Sequence, residues 1–242
     1  MIFTGDPHKA IEKVEQLVAD LPETTCAHRG ICCRAGCPNM TLGEYLWISR
    51  DYVEKLDRNE RLSLILTCVS LYLDKQDPRR WRPCPLLTED MKCKAYLARP
   101  FRCRTYGLIP EELYRRMANE VEKETGIPST FTPLCIQCKL VKMKPEFLEK
   151  YPGGKITEGK IVEIERSLRE NDKELGVSEQ TQKEGFSYLT FHDWHLLFCL
   201  GGAMMSHLSK IRIEGDKAAK ESFMKLLKEQ IVGIEKEETD GR

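Results

Sequence analysis

Cys26-Ala27-His28-Arg29-Gly30-Ile31-Cys32-Cys33-Arg34-Ala35-Gly36-Cys37 holds four cysteines and two glycines, and Pro38 follows directly. That is loop composition, and loops wrap metals readily. Two further stretches repeat the theme. Cys84-x8-Cys93-x9-Cys103 lies in residues 77–110, punctuated by Pro78, Pro83, Pro85, Pro100 and Pro110. Cys135-x2-Cys138 follows Pro128 and Pro133. Nine cysteines are thus grouped in three loop-rich segments: Cys26, Cys32, Cys33, Cys37, Cys84, Cys93, Cys103, Cys135 and Cys138.

Disulfides and metal thiolates compete for such cysteines. Disulfides need an oxidising compartment. The start, Met1-Ile2-Phe3-Thr4-Gly5-Asp6-Pro7, has neither a basic nor an apolar leader region, and the run Leu196 to Met205 is too short to span a bilayer. The expected setting is cytoplasmic, away from membranes. The count of eleven cysteines is odd and Cys32 adjoins Cys33, which also disfavours a disulfide framework. Soft thiolates select zinc, copper(I) or iron–sulfur clusters, and four complete one tetrahedral zinc or one cubane. Nine exceed one site and are enough for two. Adjacent Cys32 and Cys33 cannot easily both ligate one tetrahedral zinc. Only Cys33–Cys37 and Cys135–Cys138 have the short spacing of zinc knuckles. The spacing therefore favours iron–sulfur, one or two 4Fe–4S clusters, with zinc as the alternative.

Charge supports an anionic centre. Residues 79–104 carry eight Lys or Arg against Glu89 and Asp90, an excess of +6, whereas the whole chain has net charge +0. Cations beside a thiolate-ligated cluster stabilise it and raise its potential. Arg99 and Arg104 are the candidate cofactor-binding cations. A nucleic-acid patch is the disfavoured reading, since no global field draws the chain to polyanions.

Cys26-x2-Arg29-x2-Cys32-Cys33, followed by Cys93-Lys94-Ala95-Tyr96-Leu97-Ala98-Arg99-Pro100-Phe101-Arg102-Cys103-Arg104, resembles the CxxCxxCC, or YkgJ-like, cysteine-cluster family. The later half matches that pattern at Cys93, Tyr96, Arg99, Pro100, Cys103 and Arg104, and Cys84-Pro85-Leu86-Leu87 resembles its lead-in. Arg29 stands in the place of the second cysteine. The resemblance covers about residues 26–138 and implies zinc or iron binding, often as iron–sulfur. The family includes flagellin lysine-N-methylase-like proteins, which implies a possible methyl transfer. No glycine-rich strand–loop–helix for S-adenosylmethionine accompanies it.

The remainder reads as helices, so the expected fold is mainly α, a loop-rich cysteine-cluster domain embedded among helices with a C-terminal helical extension. Helices are predicted from Asp6-Pro7 to Pro22, from Thr41 to about Tyr52, from Asp57 to about Leu73 and from Glu111 to Lys123. Three more are predicted at about 156–172, 190–212 and 216–236. The third helix places Leu62, Ile65, Leu66, Val69 and Tyr72 on one face, with Cys68 as a buried small hydrophobe. The 190–212 helix is apolar nearly all round and should be buried, with Gly201-Gly202 allowing close packing. The last carries Phe223, Leu226, Leu227, Ile231 and Ile234 on one stripe. Pro152-Gly153-Gly154 looks like a boundary, separating a cysteine-cluster domain, 1–150, from a helical region, 151–242. His192 and His195 share a helix face and read as helix-end and core residues rather than ligands. His28 is a spare ligand within the first cysteine loop, and His8 reads as surface.

Three functions follow from this. The first is an iron–sulfur protein in electron transfer, or an accessory to a partner redox enzyme or complex. The second is a structural zinc protein acting as an interaction adaptor. The third, from the resemblance alone, is a protein-lysine methyltransferase-like enzyme.

Overall fold

The computed structural model describes residues 4–26, 30–34, 36–74, 83–125, 141–177, 189–215 and 217–240. The protein is mainly α: helices dominate these residues, and the strands form only two-stranded ladders. No helix among the described residues is long and apolar enough to cross a membrane. The chain divides into two compact units, one of residues 1–54 with 81–191, the other of 55–80 with 192–242.

The first unit is built on three helices. Helix α1 (Pro7–Ala19) starts where its sequence says it should. Asp6 caps it, accepting from the His8 backbone N–H at 2.9 Å, and Pro7 occupies the first turn. It stops before Pro22 because Asp20 closes the last turn onto Val18. Strand β1 (Thr24–Cys26) follows, then the short helix α2 (Ile31–Arg34), strand β2 (Asn39–Met40) and helix α3 (Leu42–Asp51). Thr41 and Glu44 form a reciprocal capping box at the start of α3.

Past a long helix of the other unit, α4 (Arg58–Leu73), the first unit resumes with helix α5 (Phe101–Arg104), helix α6 (Glu111–Thr125) and strand β3 (Val141–Met143). Helix α7 (Glu158–Glu174) and strand β4 (Leu189–Thr190) complete it. The ladders are antiparallel: Cys26 pairs with Val141 in β1–β3, and Met40 with Leu189 in β2–β4.

Helix α7 packs on α1 and α3. It buries Ile161, Ile164 and Leu168 against the Ile11, Val14 and Val18 side of the core. Two polar side chains lock this packing. Asn171 Nδ2 donates to the Ala10 carbonyl at 3.0 Å, and both Asp172 oxygens accept from the first turn of α3, Leu42 N at 2.9 Å and Gly43 N at 3.0 Å. Gly43 is needed there, because a Cβ would stand 2.6 Å from Asn171 Nδ2.

The expected boundary at Pro152-Gly153-Gly154 thus falls inside the first unit. The glycines turn the chain with φ of 76° and 66°, and Ile156 N then donates to the Leu108 carbonyl at 2.9 Å, seating α7 on the cysteine-bearing unit.

The second unit holds α4, helix α8 (Phe191–Glu214) from its second residue onward, and helix α9 (Lys217–Asp240). Helix α4 has the Asp57–Glu60 capping box. Its buried face is Leu64, Cys68, Val69, Tyr72 and Leu73 rather than the stripe expected from Leu62. The helix is apolar on so many sides that periodicity alone does not pick the face. Cys68 is fully buried, as expected of a small hydrophobe. Tyr72 Oη lies 2.6 Å from Ser209 Oγ, and Arg212 covers its ring at 4.4 Å.

Helix α8 departs from its reading in two ways. It is continuously buried only from Phe191 to Leu196; Gly202 to Met204 are exposed, and further on Leu208 and Ile211 alone are buried. Gly201 does not serve close packing: its backbone breaks the helix at φ 76°, ψ 167°, and a Cβ there would meet nothing within 4 Å. In α9, Phe223 and Leu227 are half-buried while Leu226 is 58% exposed. The side chains of Ile231 and Ile234 lie outside the described residues.

Candidate metal centre

Three chain segments carry cysteines to one place. The first is α2, which opens after Gly30. That glycine has φ 60°, and its missing Cβ would stand 2.7 Å from the Met91 carbonyl oxygen, so the two loops touch through it. Helix α2 presents Cys32 and Cys33, and Gly36, at φ 133°, turns the chain so that Cys37 follows. The second segment is stitched to the first by Cys84 N donating to the Cys33 carbonyl at 2.7 Å. A small hairpin then returns the chain: Leu87 bridges Cys93, and Lys94 N donates to the Leu86 carbonyl at 2.8 Å. Thr88 closes its tip, where its hydroxyl accepts from Lys92 N at 2.8 Å. The third is α5, where Pro100 sets the first turn and Cys103 N donates back to its carbonyl at 2.9 Å.

Buried Glu44 holds the third segment in place. Its Oε2 accepts from Thr41 N at 2.8 Å and Thr41 Oγ1 at 3.0 Å, while Oε1 accepts from Phe101 N at 2.6 Å. One carboxyl therefore caps α3 and α5 together. Burial raises its pKa above the usual carboxylate value, opposed by those donors and by Arg102.

The result is a cavity of about 30 Å³ lined by Cys32, Cys33, Cys37, Cys84, Cys93 and Cys103. Met40, Ile48, Leu86 and Ala95 supply apolar wall, and Arg99 borders it. None of the six thiols is in a disulfide. The Sγ atoms of adjacent Cys32 and Cys33 are 3.9 Å apart. Two thiolates about 2.3 Å from one tetrahedral ion stand about 3.8 Å apart, so adjacency does not keep this pair from a shared ion. Cys93 also lies near Cys33, and Cys84 near Cys37, close enough for each thiol to affect the ionisation of its neighbour.

The electrostatics follow from this crowding. The Cys33 thiol, donating, lowers Cys32 to about 7, and Arg99 helps. The same donor lowers Cys93. Cys33 itself is pushed far up by its thiol neighbours and by burial. Cys84 rises through nearby Cys37 and its burial, and Cys103 rises through burial and the surrounding thiols. So small and apolar a cavity cannot hold several thiolates without a cation. Among the described residues no group of three or more His, Cys, Asp or Glu side chains is already set around one metal position. Cys32 and Cys33 face each other, and Cys37 Sγ faces the Pro38 carbonyl at 3.7 Å. The type, number and enclosure of the thiols fit a thiophilic metal group.

Of the two candidate arginines, Arg99 is at the cavity, its Nε donating to the Tyr96 carbonyl at 3.0 Å and its guanidinium 3.7 Å over the Tyr96 ring. Arg104 is not among the lining residues. Its Nε donates to the Arg99 carbonyl at 2.9 Å, another nitrogen reaches the Leu97 carbonyl, and it lies 5.1 Å over Trp47. It straps the 97–104 turn that presents Arg99 and Cys103. The backbone of Cys26 is in β1, but its side chain lies outside the described residues, as do Cys135, Cys138, His28 and Arg29. His192 and His195 are buried in the second unit, where the His195 ring nitrogens stand 3.7 and 3.8 Å from Cys199 Sγ. His8 is exposed.

Glu44 and Asp172 are the residues that sequence reasoning missed. The Thr41-x2-Glu44 spacing announces a cap, but nothing local announces that the same carboxyl reaches Phe101. No family model, no curated protein and no solved structure matches the chain.

Proposed function

We propose that this chain is a metal-thiolate protein whose cavity carries an iron–sulfur cluster, used in electron transfer or in support of a partner redox enzyme. The observation that carries the reading is the convergence of six cysteines from three separate segments on one small cavity edged by Arg99. A protein with no use for metal gains little from gathering six thiols side by side, since several thiolates cannot coexist there without a cation. When bound, the cluster supplies one-electron chemistry. The cysteines would hold it, the apolar wall would keep water from it, and Arg99 would offset its negative charge and raise its potential. The likeness of Cys93–Arg104 to the YkgJ-like pattern supports iron or zinc at these positions.

The 3.9 Å separation of Cys32 and Cys33 favours a second reading, structural zinc in an interaction adaptor, because that spacing suits one tetrahedral ion. Anaerobic purification with iron, acid-labile sulfide and zinc analysis decides between them. Iron matched by sulfide, with a broad visible absorption that a reductant bleaches, is the expected result. Zinc without sulfide would move the protein to the second reading, and no metal at all would remove both.

A further inference from the structure

The first unit pairs many of its surface cations with carboxylates, Lys13 with Glu174 and Arg116 with Glu158 among them. Even in the cysteine-bearing stretch, Lys92 has Asp90 at 2.6 Å and Arg102 has Glu165 at 3.4 Å. The cations beside the cavity are left out of this pairing. Arg34 follows Cys33, Lys94 follows Cys93, Arg104 follows Cys103, and Arg99 edges the cavity itself. Among the described residues no carboxylate pairs with any of the four. We propose that the 96–104 turn and its flanking cations are a docking surface for an acidic protein, whose carboxylates meet these cations and whose apolar side chains cover Leu97; this names the chemistry of the redox partner and rests on the reading above for that partner's role.

The turn is built to be met. Leu97 is 82% exposed. Arg104 holds the backbone beneath it, donating to the Leu97 carbonyl and to the Arg99 carbonyl. Arg99 is fixed in turn: its Nε donates to the Tyr96 carbonyl at 3.0 Å and its guanidinium lies 3.7 Å over the Tyr96 ring. Among the described residues no acceptor meets its two Nη nitrogens. A guanidinium held still with two nitrogens free suits a carboxylate, and binding one costs it little side-chain freedom. A single exposed leucine is ordinary on a surface, but an apolar side chain among unpaired cations has the make-up of an interface, apolar inside and charged at the rim. A nucleic acid would bring phosphates to the cations and nothing apolar to Leu97, and the chain's net charge of +0 gives it no long-range field towards a polyanion. Cys32 and Cys93 line the cavity with Arg99 and are only half-buried, so a partner seated here stands close to any centre the cavity holds.

An acidic plant-type ferredoxin and a short DNA duplex are the two probes, each titrated calorimetrically into the full-length protein, with metal and sulfide measured on the same sample. The ferredoxin should bind, and its Kd should rise about tenfold between roughly 50 and 200 mM salt. Leu97→Asp, and separately Arg34→Glu/Lys94→Glu, should each weaken binding about tenfold while leaving metal content and melting temperature as they were. No ferredoxin binding, affinity indifferent to salt, affinity unchanged in either variant, or tighter binding of the DNA would overturn the proposal. The metal analysis keeps the two readings apart. Iron and sulfide without ferredoxin binding would remove the docking surface alone. Salt-sensitive binding by a sample without metal would uphold the surface and remove its redox role.

Discussion

Glu44 shows how much can hang on one side chain. It is 3% exposed and satisfies Thr41 and Phe101 at once, so its removal strands buried donors at two helix starts. Glu44→Ala should cost about 3 kcal/mol in urea unfolding and, if the cavity holds metal, lower the metal content of the isolated protein, by freeing the turn that presents Cys103. Glu44→Gln, which keeps acceptor oxygen, should lose less of both. His195 gives a residue-level pH signature in the other unit. Burial lowers its pKa from 6.5 to about 4, so the fold keeps it neutral. The unfolded chain then binds more protons between these values, and the contribution is complete above about pH 6.5 and lost as pH falls towards 4. Stability should drop by about 3 kcal/mol over that window, and the slope should flatten in His195→Asn. Equal slopes in denaturant titrations of the two proteins from pH 7 to 4 would contradict it.

At the level of elements, helix starts were readable and helix interiors were not. Asp6-Pro7, Thr41 with Glu44 and Asp57 with Glu60 each act through atoms within a few residues, so the sequence contains the whole interaction. Asp57→Ala should therefore cost about 1 kcal/mol, measured on the unfolding of the α4 unit. Gly201 was misread because a glycine pair in an apolar run looks the same whether a neighbour approaches or the helix breaks. Its φ of 76° with ψ of 167° is open to glycine and strained for any other residue. Gly201→Ala should destabilise the second unit by about 1–3 kcal/mol, although no neighbour stands in the way of the new methyl. An unchanged or higher melting temperature would show that the two halves of α8 do not need the break. The cysteine segments were visible as composition. Their meeting in one cavity depends on Cys84 N reaching the Cys33 carbonyl and on Gly30 admitting Met91, contacts between segments far apart in the chain.

For the molecule as a whole, the same limit explains the units. Pro152-Gly153-Gly154 has the composition of a linker, but α7 belongs with α1 and α3 because Asn171 and Asp172 find partners there. If the cavity holds metal, chelation should act on one unit. Hydrogen exchange should accelerate across residues 30–45 and 84–105 when a chelator is added, and stay unchanged across 58–73, where no thiol of the cavity lies. Acceleration everywhere would mean that the units unfold together. The interleaved chain path also dictates an order of events at the ribosome. Helix α4 leaves the first unit's sequence early, yet the rest of its own unit begins only at His192. At about 5–20 residues per second, Leu64, Val69 and Leu73 wait on the order of ten seconds for the helices that will cover them. By then every cysteine of the cavity has already emerged. The nascent chain can therefore have the cysteines of its cavity together while the apolar face of α4 is still bare, and a chaperone that shields apolar segments has its longest opportunity on α4.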